Sequence, residues 1–291
     1  MQAPESARPL RLALPKGRTF EGVSELFRAA GLPLRAATRA YRPQLPVPGF
    51  ETKLLKPRAV VEMLIAGSRD LGFVGADWVA ELDGELVELL DTGLDPVRLV
   101  AAIPSELAAR EDWRQSVRVV GSEYVALTQR WIEERGLNAR CLRSWGATEV
   151  LPPEDADAIV DNTSTGATLA ANGLQIVDEL MRSTTRLYVR PAVLEQPWAR
   201  RQIDELVLLL RSVLDARERV LLELNVSPED LEQLCEGLPC MQRPTVSELF
   251  GASGYAVRAA VPRSSLATLI PDLKARGGRD LLVTSPGQIV L

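Results

Sequence analysis

The sequence predicts an α/β protein that ends in a small, separate α+β module. A short apolar strand at Leu10–Leu14 runs into a basic turn and then into a helical segment, which is how an α/β unit begins. Apolar strands and helical segments then alternate as far as Val189. After a long charged helical segment, residues 218–291 change to a β-α-β rhythm, which indicates a second domain.

The first elements follow from periodicity and from their stop signals. Phe20–Ala30 carries apolar residues at helical spacing and ends at Gly31, and Val60–Ala66 is a second helical segment. Asp70–Gly75 is a predicted strand that runs into a glycine turn. Asp77 is expected to cap the helix that follows.

The remaining elements are predicted by the same rules. The predicted strands are Val97–Ile103, Val117–Val120, Ala156–Val160, Thr185–Val189, Tyr255–Val261 and Asp280–Thr284. The predicted helical segments are Tyr124–Arg135, a short helix running through Ala171, Pro197–Asn225, Pro228–Leu234 and Ser265–Arg276.

Composition excludes several classes of function. The 291 residues carry a net charge of −5, so neither a nucleic-acid nor a membrane partner is expected. The chain has no histidine, which removes the commonest general base and the commonest metal ligand. The three cysteines are too sparse for a disulfide framework, and neither a signal peptide nor a membrane span is visible. These observations predict a cytoplasmic protein.

The strongest chemical signal is the stretch from Ala156 to Leu169, ADAIVDNTSTGATL. A hydrophobic strand leads to Asp161, and small or hydroxyl-bearing residues follow before a helix begins. Such a turn presents backbone N–H groups and hydroxyls to one concave space, which suits a phosphate monoester. Asp161 is placed to accept hydrogen bonds from sugar hydroxyls or to approach a phosphate-bound Mg²⁺ through water. The alternative is that Ser164, Thr165 and Thr168 only cap a helix.

Three weaker signals accompany it. Lys16 and Arg18 follow the first strand, where open α/β sheets place their ligands, and two cations there would clamp a pyrophosphate or triphosphate. Gly75 lies at a strand end, where backbone approaches a ligand closely. Glu149 is an acidic group beside a glycine turn. Taken alone, each also fits an ordinary surface turn or, for Glu149, the first turn of a helix.

Taken together, these segments resemble the ATP phosphoribosyltransferases. The matching stretches are LRLALPKGR at 10–18, DLGFVGADWVAEL at 70–82, GATEV at 146–150, DAIVDNTSTGATLAANGL at 157–174, RSTTRLYV at 182–189, RPTVSELF at 243–250 and LKARGGRDLLV at 273–283. They run in order along most of the chain, and STGATLAANGL is the most specific of them.

The resemblance implies a two-lobed catalytic core like a type II periplasmic binding protein, followed by a small α+β, ferredoxin-like regulatory domain. Lobe I would comprise residues 1–97 and 190–217, lobe II residues 98–189, and the regulatory domain residues 218–291. The reaction implied is transfer of the phosphoribosyl group of phosphoribosyl pyrophosphate to N1 of ATP, with Mg²⁺ as cofactor. Histidine would be the feedback inhibitor, and the chain would form homodimers that assemble into hexamers.

The resemblance also implies roles for single residues. Lys16, Arg18 and Asp161 would be the catalytic residues, with Asp161 on the ribose hydroxyls and the two cations on the pyrophosphate or triphosphate. The 5′-phosphate would be held by Ser164, Thr165, Gly166, Ala167 and Thr168. Glu149 would contact the ribose or its metal, and Thr245 would contact histidine.

The chain departs from the family pattern at two places. The family's Arg-x-x-Asp-Ile-Pro pattern is replaced by a stretch in which only Lys56 and Arg58 remain to contact phosphate. Asn162 and Thr163 stand where an apolar pair is usual. Two other functions stay open from the sequence: a non-catalytic two-lobed protein that binds or senses a small ligand, and a phosphoribosyltransferase with another base as acceptor.

Overall fold

A computed structural model describes residues 8–35, 41–251 and 253–290. The chain forms two compact units. The first holds residues through Glu25 together with Leu32–Ile203, and the second holds Leu26–Gly31 and residues from Asp204 onward. Each unit is described by itself.

The first unit is built on one eight-stranded mixed sheet. Its strands are β1 (Leu10–Pro15), β2 (Phe50–Leu55), β3 (Leu71–Gly75), β4 (Val87–Pro104), β5 (Val119–Ser122), β6 (Arg140–Arg143), β7 (Ala158–Thr163) and β8 (Leu174–Val189). The strand order is β2-β1-β3-β8-β4-β7-β5-β6. β2, β1 and β3 form one parallel group, and β7, β5 and β6 form another. The long strands β4 and β8 run antiparallel to their neighbours and join the two groups.

Helices connect the strands of this unit. They are α1 (Arg18–Ala29), α2 (Pro57–Ile65), α3 (Ala76–Glu81), α4 (Ser105–Ala108), α5 (Trp113–Ser116), α6 (Val125–Glu134), α7 (Ala167–Ala171) and α8 (Pro191–Leu194). A further helix, α9 (Pro197–Arg217), begins in this unit and has most of its residues in the second, and α1 also has its last residues there. α2 begins with Pro57, whose fixed φ suits the first helical position. Each group has its own buried core, one with Val60, Leu64 and Val74 and the other with Val120, Trp131 and Val160. The predicted two-lobed α/β core is thereby confirmed.

β4 and β8 are much longer than the predicted strands Val97–Ile103 and Thr185–Val189. The sequence hides their length because β4 contains Gly93 and Pro96, which normally end strands. The structure accommodates these residues through register shifts in the β4–β8 pairing, for example between Asp91 and Leu94. The first parts of both strands therefore lack the regular apolar–polar alternation by which a strand is predicted from sequence.

The second unit has a βαββαβ order and a four-stranded antiparallel sheet. Its elements are β9 (Arg219–Val226), α10 (Leu231–Glu236), β10 (Thr245–Glu248), β11 (Tyr255–Pro262), α11 (Leu266–Ala275) and β12 (Arg279–Thr284). The strand order is β10-β11-β9-β12, which confirms the predicted ferredoxin-like α+β fold. Its core packs Leu222 and Leu224 of β9 against Leu234 of α10 and Leu273 of α11.

The predicted helical segment Pro197–Asn225 is wrong in its last part. α9 ends at Arg217, and β9 begins at Arg219. The residues RVLLELNV alternate between buried and half-buried positions, which is the period of a strand packed on one face. Their Leu-rich composition also fits a helix, so the sequence alone did not separate the two.

Cys141, Cys235 and Cys240 all carry free thiols. Of the helices in the described ranges, none combines the length and the apolar character that a bilayer crossing needs.

Candidate active site

The turn after β7 has the geometry of an anion cradle. Gly166 adopts a left-handed φ of +83°, which turns the chain sharply into α7. In the free protein the Gly166 amide donates to Thr163 Oγ1 at 2.9 Å, and the Ala167 amide donates to Thr165 Oγ1 at 3.3 Å. The exposed residues of this turn are Ser164, Thr165, Ala167 and Thr168. Its hydroxyls therefore preform a turn that remains open to a ligand.

Asp161 lies in β7, directly before this turn. Its Oδ1 accepts a hydrogen bond from the Asn162 amide at 2.7 Å. Burial, as the largest cause, and the nearby negative charges of Glu149 and Glu123 together raise the pKa of Asp161 to about 6, against the lowering effect of that hydrogen bond. The ionised carboxylate is thus poorly stabilised in the free protein. It is suited to accept hydrogen bonds from sugar hydroxyls or to face a cation.

A buried polar network lies next to Asp161. Tyr124 donates its hydroxyl to Asp77 Oδ2 at 2.6 Å and accepts a bond from Asn162 Nδ2 at 2.7 Å. Ser183 Oγ donates to Asp77 Oδ1 at 2.7 Å, and the Trp78 ring stacks on Tyr124 with 4.5 Å between centroids. Burial and the Asp77 carboxylate raise the pKa of Tyr124 well above its usual range, so the phenol stays protonated. The network fixes Asn162 beside the turn.

Asp77 does not cap α3, contrary to the prediction. The N-cap position belongs to Gly75, and Asp77 lies inside the first turn of the helix. Its side chain points instead at Tyr124 and Ser183, two partners that are distant in sequence. Gly75 is required here because a Cβ at this position would collide with the Asp77 carboxylate.

Two cavities open on either side of Asn162, Pro57 and Trp78. The first cavity, of about 170 Å³, contains the predicted residues Arg18 and Gly75. Its other lining residues are Pro15, Thr19, Pro57, Val74, Asp77, Trp78, Asp95, Val97, Asn162, Ser183, Thr184 and Thr185. The Arg18 guanidinium lies 3.7 Å from the Asp95 carboxylate and is mostly exposed, so the pairing is weak and Arg18 is available to an anionic ligand.

The second cavity is larger, at about 440 Å³. It is lined by Lys56, Pro57, Arg58, Trp78, Glu123, Arg143, Ser144, Trp145 and Asn162. Lys56, predicted as a phosphate contact, lies here together with Arg58 and Arg143. Three cations and one acidic side chain give this wall a positive charge within an acidic protein.

The other predicted residues lie outside both cavities. Lys16 follows β1, and its Nζ sits 3.8 Å from the centre of the Tyr41 ring. Glu149 lies in a short 3-10 helix, Thr148–Val150, and its charge acts on Asp161. Thr245 is exposed in β10 of the second unit. Within the described ranges, no group of three or more His, Cys, Asp or Glu side chains is arranged to hold a metal ion.

Several residues of this site were missed from the sequence. Tyr124, Trp78 and Ser183 come from three different segments, and their polar or aromatic character gave no local pattern. Arg143 is the last residue of β6, a strand that was not predicted, and Trp145 follows it by two residues. The signal available was one Arg and one Trp in RSWGATEV, a combination that is common in surface loops.

Comparisons with known proteins agree with this arrangement. Residues 56–212 match the family described as "HisG: ATP phosphoribosyltransferase", and residues 216–285 match "HisG, C-terminal domain". A relative named ATP phosphoribosyltransferase from Chlorobaculum parvum is 34% identical over 94% of this chain and 94% of its own. Another of that name from Solibacter usitatus is 34% identical over 97% of this chain and 99% of its own.

A solved structure supports the fold of the first unit. The ATP phosphoribosyl transferase (HisG:HisZ) complex from Thermotoga maritima contains a chain that is 26% identical, with a TM-score of 0.62. That match covers 71% of this chain and 98% of the other. Because residues 216–285 also match the C-terminal domain of the family, the chain corresponds to the long form, which carries that domain. This chain belongs to the ATP phosphoribosyltransferase family.

Proposed function

We propose that this protein transfers the phosphoribosyl group of phosphoribosyl pyrophosphate to N1 of ATP and releases pyrophosphate, the first step of histidine biosynthesis. The observation that carries the proposal is the open turn after β7, with Asp161 at its start and Gly166 at its sharpest point. Family membership supports the same reaction.

The turn provides the binding groups for the sugar phosphate. The 5′-phosphate is held by backbone amides and hydroxyls of Ser164, Thr165, Gly166, Ala167 and Thr168. Phosphate oxygens accept strongly, so they replace the weak hydroxyl acceptors that now occupy the Gly166 and Ala167 amides. The Asp161 carboxylate accepts hydrogen bonds from the ribose hydroxyls. These bonds offset the loss of hydration that burial causes.

Cationic side chains act on the leaving group. Arg18 faces the first cavity and Lys56 the second, and each is available to the pyrophosphate or triphosphate. Lys16 joins them by leaving the Tyr41 ring. Asp161 and nearby Glu149 would hold a Mg²⁺ ion through water, and such an ion would supply positive charge for the pyrophosphate of the substrate.

The chemistry fits a chain without histidine. The lone pair of adenine N1 forms the new bond to C1′, while the bond from C1′ to the pyrophosphate oxygen breaks and its electrons leave with pyrophosphate. Adenine N1 is unprotonated near neutral pH, so the attack needs no strong base. The protein contributes alignment of the two substrates and stabilisation of the departing charge.

We also propose a role for each part of the chain. Residues 1–97 and 190–217 form catalytic lobe I, residues 98–189 form lobe II, and residues 218–291 bind histidine as feedback inhibitor, with Thr245 among the contacts. The chain works in the cytoplasm as a homo-oligomer, a dimer that assembles into a hexamer. We expect Thr245→Ala to weaken inhibition by histidine while leaving uninhibited turnover unchanged. Undiminished inhibition would remove Thr245 from the effector site.

The test of the enzyme assignment is turnover. Mixing ATP, phosphoribosyl pyrophosphate and Mg²⁺ with the protein should change the adenine absorbance and release pyrophosphate. Asp161→Ala should lose most of this activity, whereas Asp155→Ala, at an exposed acidic position before the same strand, should retain it. Binding of both substrates without any product would instead favour a non-catalytic binding protein.

A further inference from the structure

The second cavity presents an aromatic side chain that the fold does not cover. Trp145 is 80% exposed at its rim. Leaving so large an apolar ring in water forgoes the stabilisation that burial gives, so an exposed tryptophan beside a cavity indicates a contact made with a ligand. The other tryptophan of this cavity, Trp78, is half-buried and stacked on Tyr124.

The turn that carries Trp145 is held in shape. Gly146 has a φ of +110°, and Ala147 has a φ of +48°, a left-handed conformation that is unfavourable for a residue with a Cβ. Ser144 Oγ and Thr148 Oγ1 are 2.8 Å apart and bridge the base of the turn in a buried hydrogen bond. Backbone strain that is fixed by surrounding bonds is typical of functional sites.

The charges around the two rings identify the kind of ligand. The Arg143 guanidinium lies 5.4 Å from the Trp145 ring centre, and that of Arg58 lies 5.8 Å from the Trp78 ring centre. Lys56 is the third cation of the lining, and Glu123 is its one acidic residue. A volume of about 440 Å³ is within the usual range for small-molecule sites. The cavity is therefore suited to a molecule with an aromatic ring and several negative charges.

We infer that Trp145 is a specificity-determining residue for the nucleotide substrate: its ring stacks on the purine base at the second cavity, while the polyphosphate faces Lys56, Arg58 and Arg143. This inference rests on the proposed function for the identity of the two substrates. Only one of them has an aromatic ring, since phosphoribosyl pyrophosphate carries none. Asn162, which lines both cavities, lies at the boundary between this nucleotide site and the sugar-phosphate turn.

Binding can be tested without turnover, through tryptophan fluorescence. ATP alone should quench part of the emission of the full-length protein, and phosphoribosyl pyrophosphate alone should not. The chain has five tryptophans, so variants are needed to assign the signal. Trp145→Phe should abolish most of the ATP response. Trp113→Phe, which removes a tryptophan that also lies beside an arginine but outside this cavity, should keep it. An unchanged response in Trp145→Phe, or equal quenching by pyrophosphate alone, would overturn the inference.

Kinetics provides the second measurement. Because base stacking on an aromatic side chain contributes about 1–3 kcal/mol, Trp145→Ala should raise KM for ATP by about 5-fold to 150-fold. KM for phosphoribosyl pyrophosphate should change little, and Trp145→Phe should restore most of the affinity for ATP. Val150→Ala, an exposed apolar position in the next turn, is the matched control. A rise confined to KM for phosphoribosyl pyrophosphate would refute the assignment.

The outcomes separate this inference from the proposed function. Normal KM for ATP in Trp145→Ala, with product still formed, removes Trp145 from the nucleotide site and leaves the enzyme assignment intact. ATP quenching that depends on Trp145, without product from wild-type protein, supports the nucleotide site and contradicts the transferase. A change of oligomeric mass in Trp145→Ala with unaltered ATP binding would show that a second copy of the chain covers this ring, and would refute the inference.

Discussion

Replacing Asp161 by Asn should stabilise the free protein while it impairs the enzyme. In the wild type, burial raises the pKa of this carboxyl from 3.8 to about 6, so its ionised form is held at a cost in the folded state. Asn keeps the Oδ1 that accepts the Asn162 amide and removes the charge. The ribose hydroxyls are expected to donate hydrogen bonds to this same charged carboxylate, so its replacement should lower activity.

The magnitude follows from the pKa difference. The change from 3.8 to about 6 corresponds to about 3 kcal/mol at 1.4 kcal/mol per pKa unit. Asp161 is only partly buried, and solvent screening reduces this to about 1 kcal/mol. Such a change raises Tm by about 2–4 °C for a unit of this size.

The sign of the pH dependence is fixed by the direction of the pKa change. Between pH 3.8 and about 6 the folded state binds more protons at Asp161 than the unfolded state, so this residue lowers stability increasingly as pH rises. Above pH 6 the destabilisation is complete. The advantage of Asp161→Asn should therefore be full at pH 8 and fall to about half of that value at pH 5.

Thermal unfolding of the ligand-free protein at both pH values tests this reasoning, with Asp155→Asn as the exposed control. Turnover of Asp161→Asn, measured beside it, should fall. A destabilising charge at Asp161 is excluded if Asp161→Asn is no more stable than the wild type at pH 8, or if its advantage is the same at pH 5.

Three further substitutions test buried polar contacts within the first unit. Tyr124→Phe removes a hydrogen bond to the buried Asp77 carboxylate and should cost about 1–3 kcal/mol in urea unfolding; an unchanged free energy of unfolding would contradict the network. Asp70→Asn removes the charge of a fully buried carboxylate that is paired with three arginines, Arg8, Arg11 and Arg190, and should cost about 3–5 kcal/mol, measured the same way. A loss below 1 kcal/mol would show that these pairs are not important for stability. Glu81→Ala removes the carboxylate that accepts two amides at the start of α6 and should lower Tm, at a cost of about 1 kcal/mol; an unaltered Tm would exclude this capping role.

Features of the fold and site that are formed by residues close together in the sequence could be predicted from it. The turn from Asp161 to Thr168 combines a buried strand, small residues and a helix start within one short segment, so its geometry is local. The βαββαβ order of the second unit was visible in part because β11, α11 and β12 each have clear periodicity. The long strands β4 and β8 were shortened in the prediction, since their glycine, proline and charged residues are accommodated only by bulges.

Features that depend on side chains far apart in the sequence could not be predicted. Asp77 has the sequence context of a helix cap, and only the fold shows that Tyr124 and Ser183 surround it. Trp145 has the context of a surface loop, and only the fold places it at a cavity with Trp78 and Arg58. In both cases the role comes from side chains of separate segments that the fold brings together.

Binding of the sugar phosphate by the turn after β7 can be observed in a crystal structure with phosphoribosyl pyrophosphate and Mg²⁺. We expect 5′-phosphate oxygens at about 3 Å from the amides of Gly166, Ala167 and Thr168, with the ribose hydroxyls on Asp161. A phosphoribosyl group bound elsewhere, with this turn unchanged and its two amides still donating to threonine hydroxyls, would contradict it.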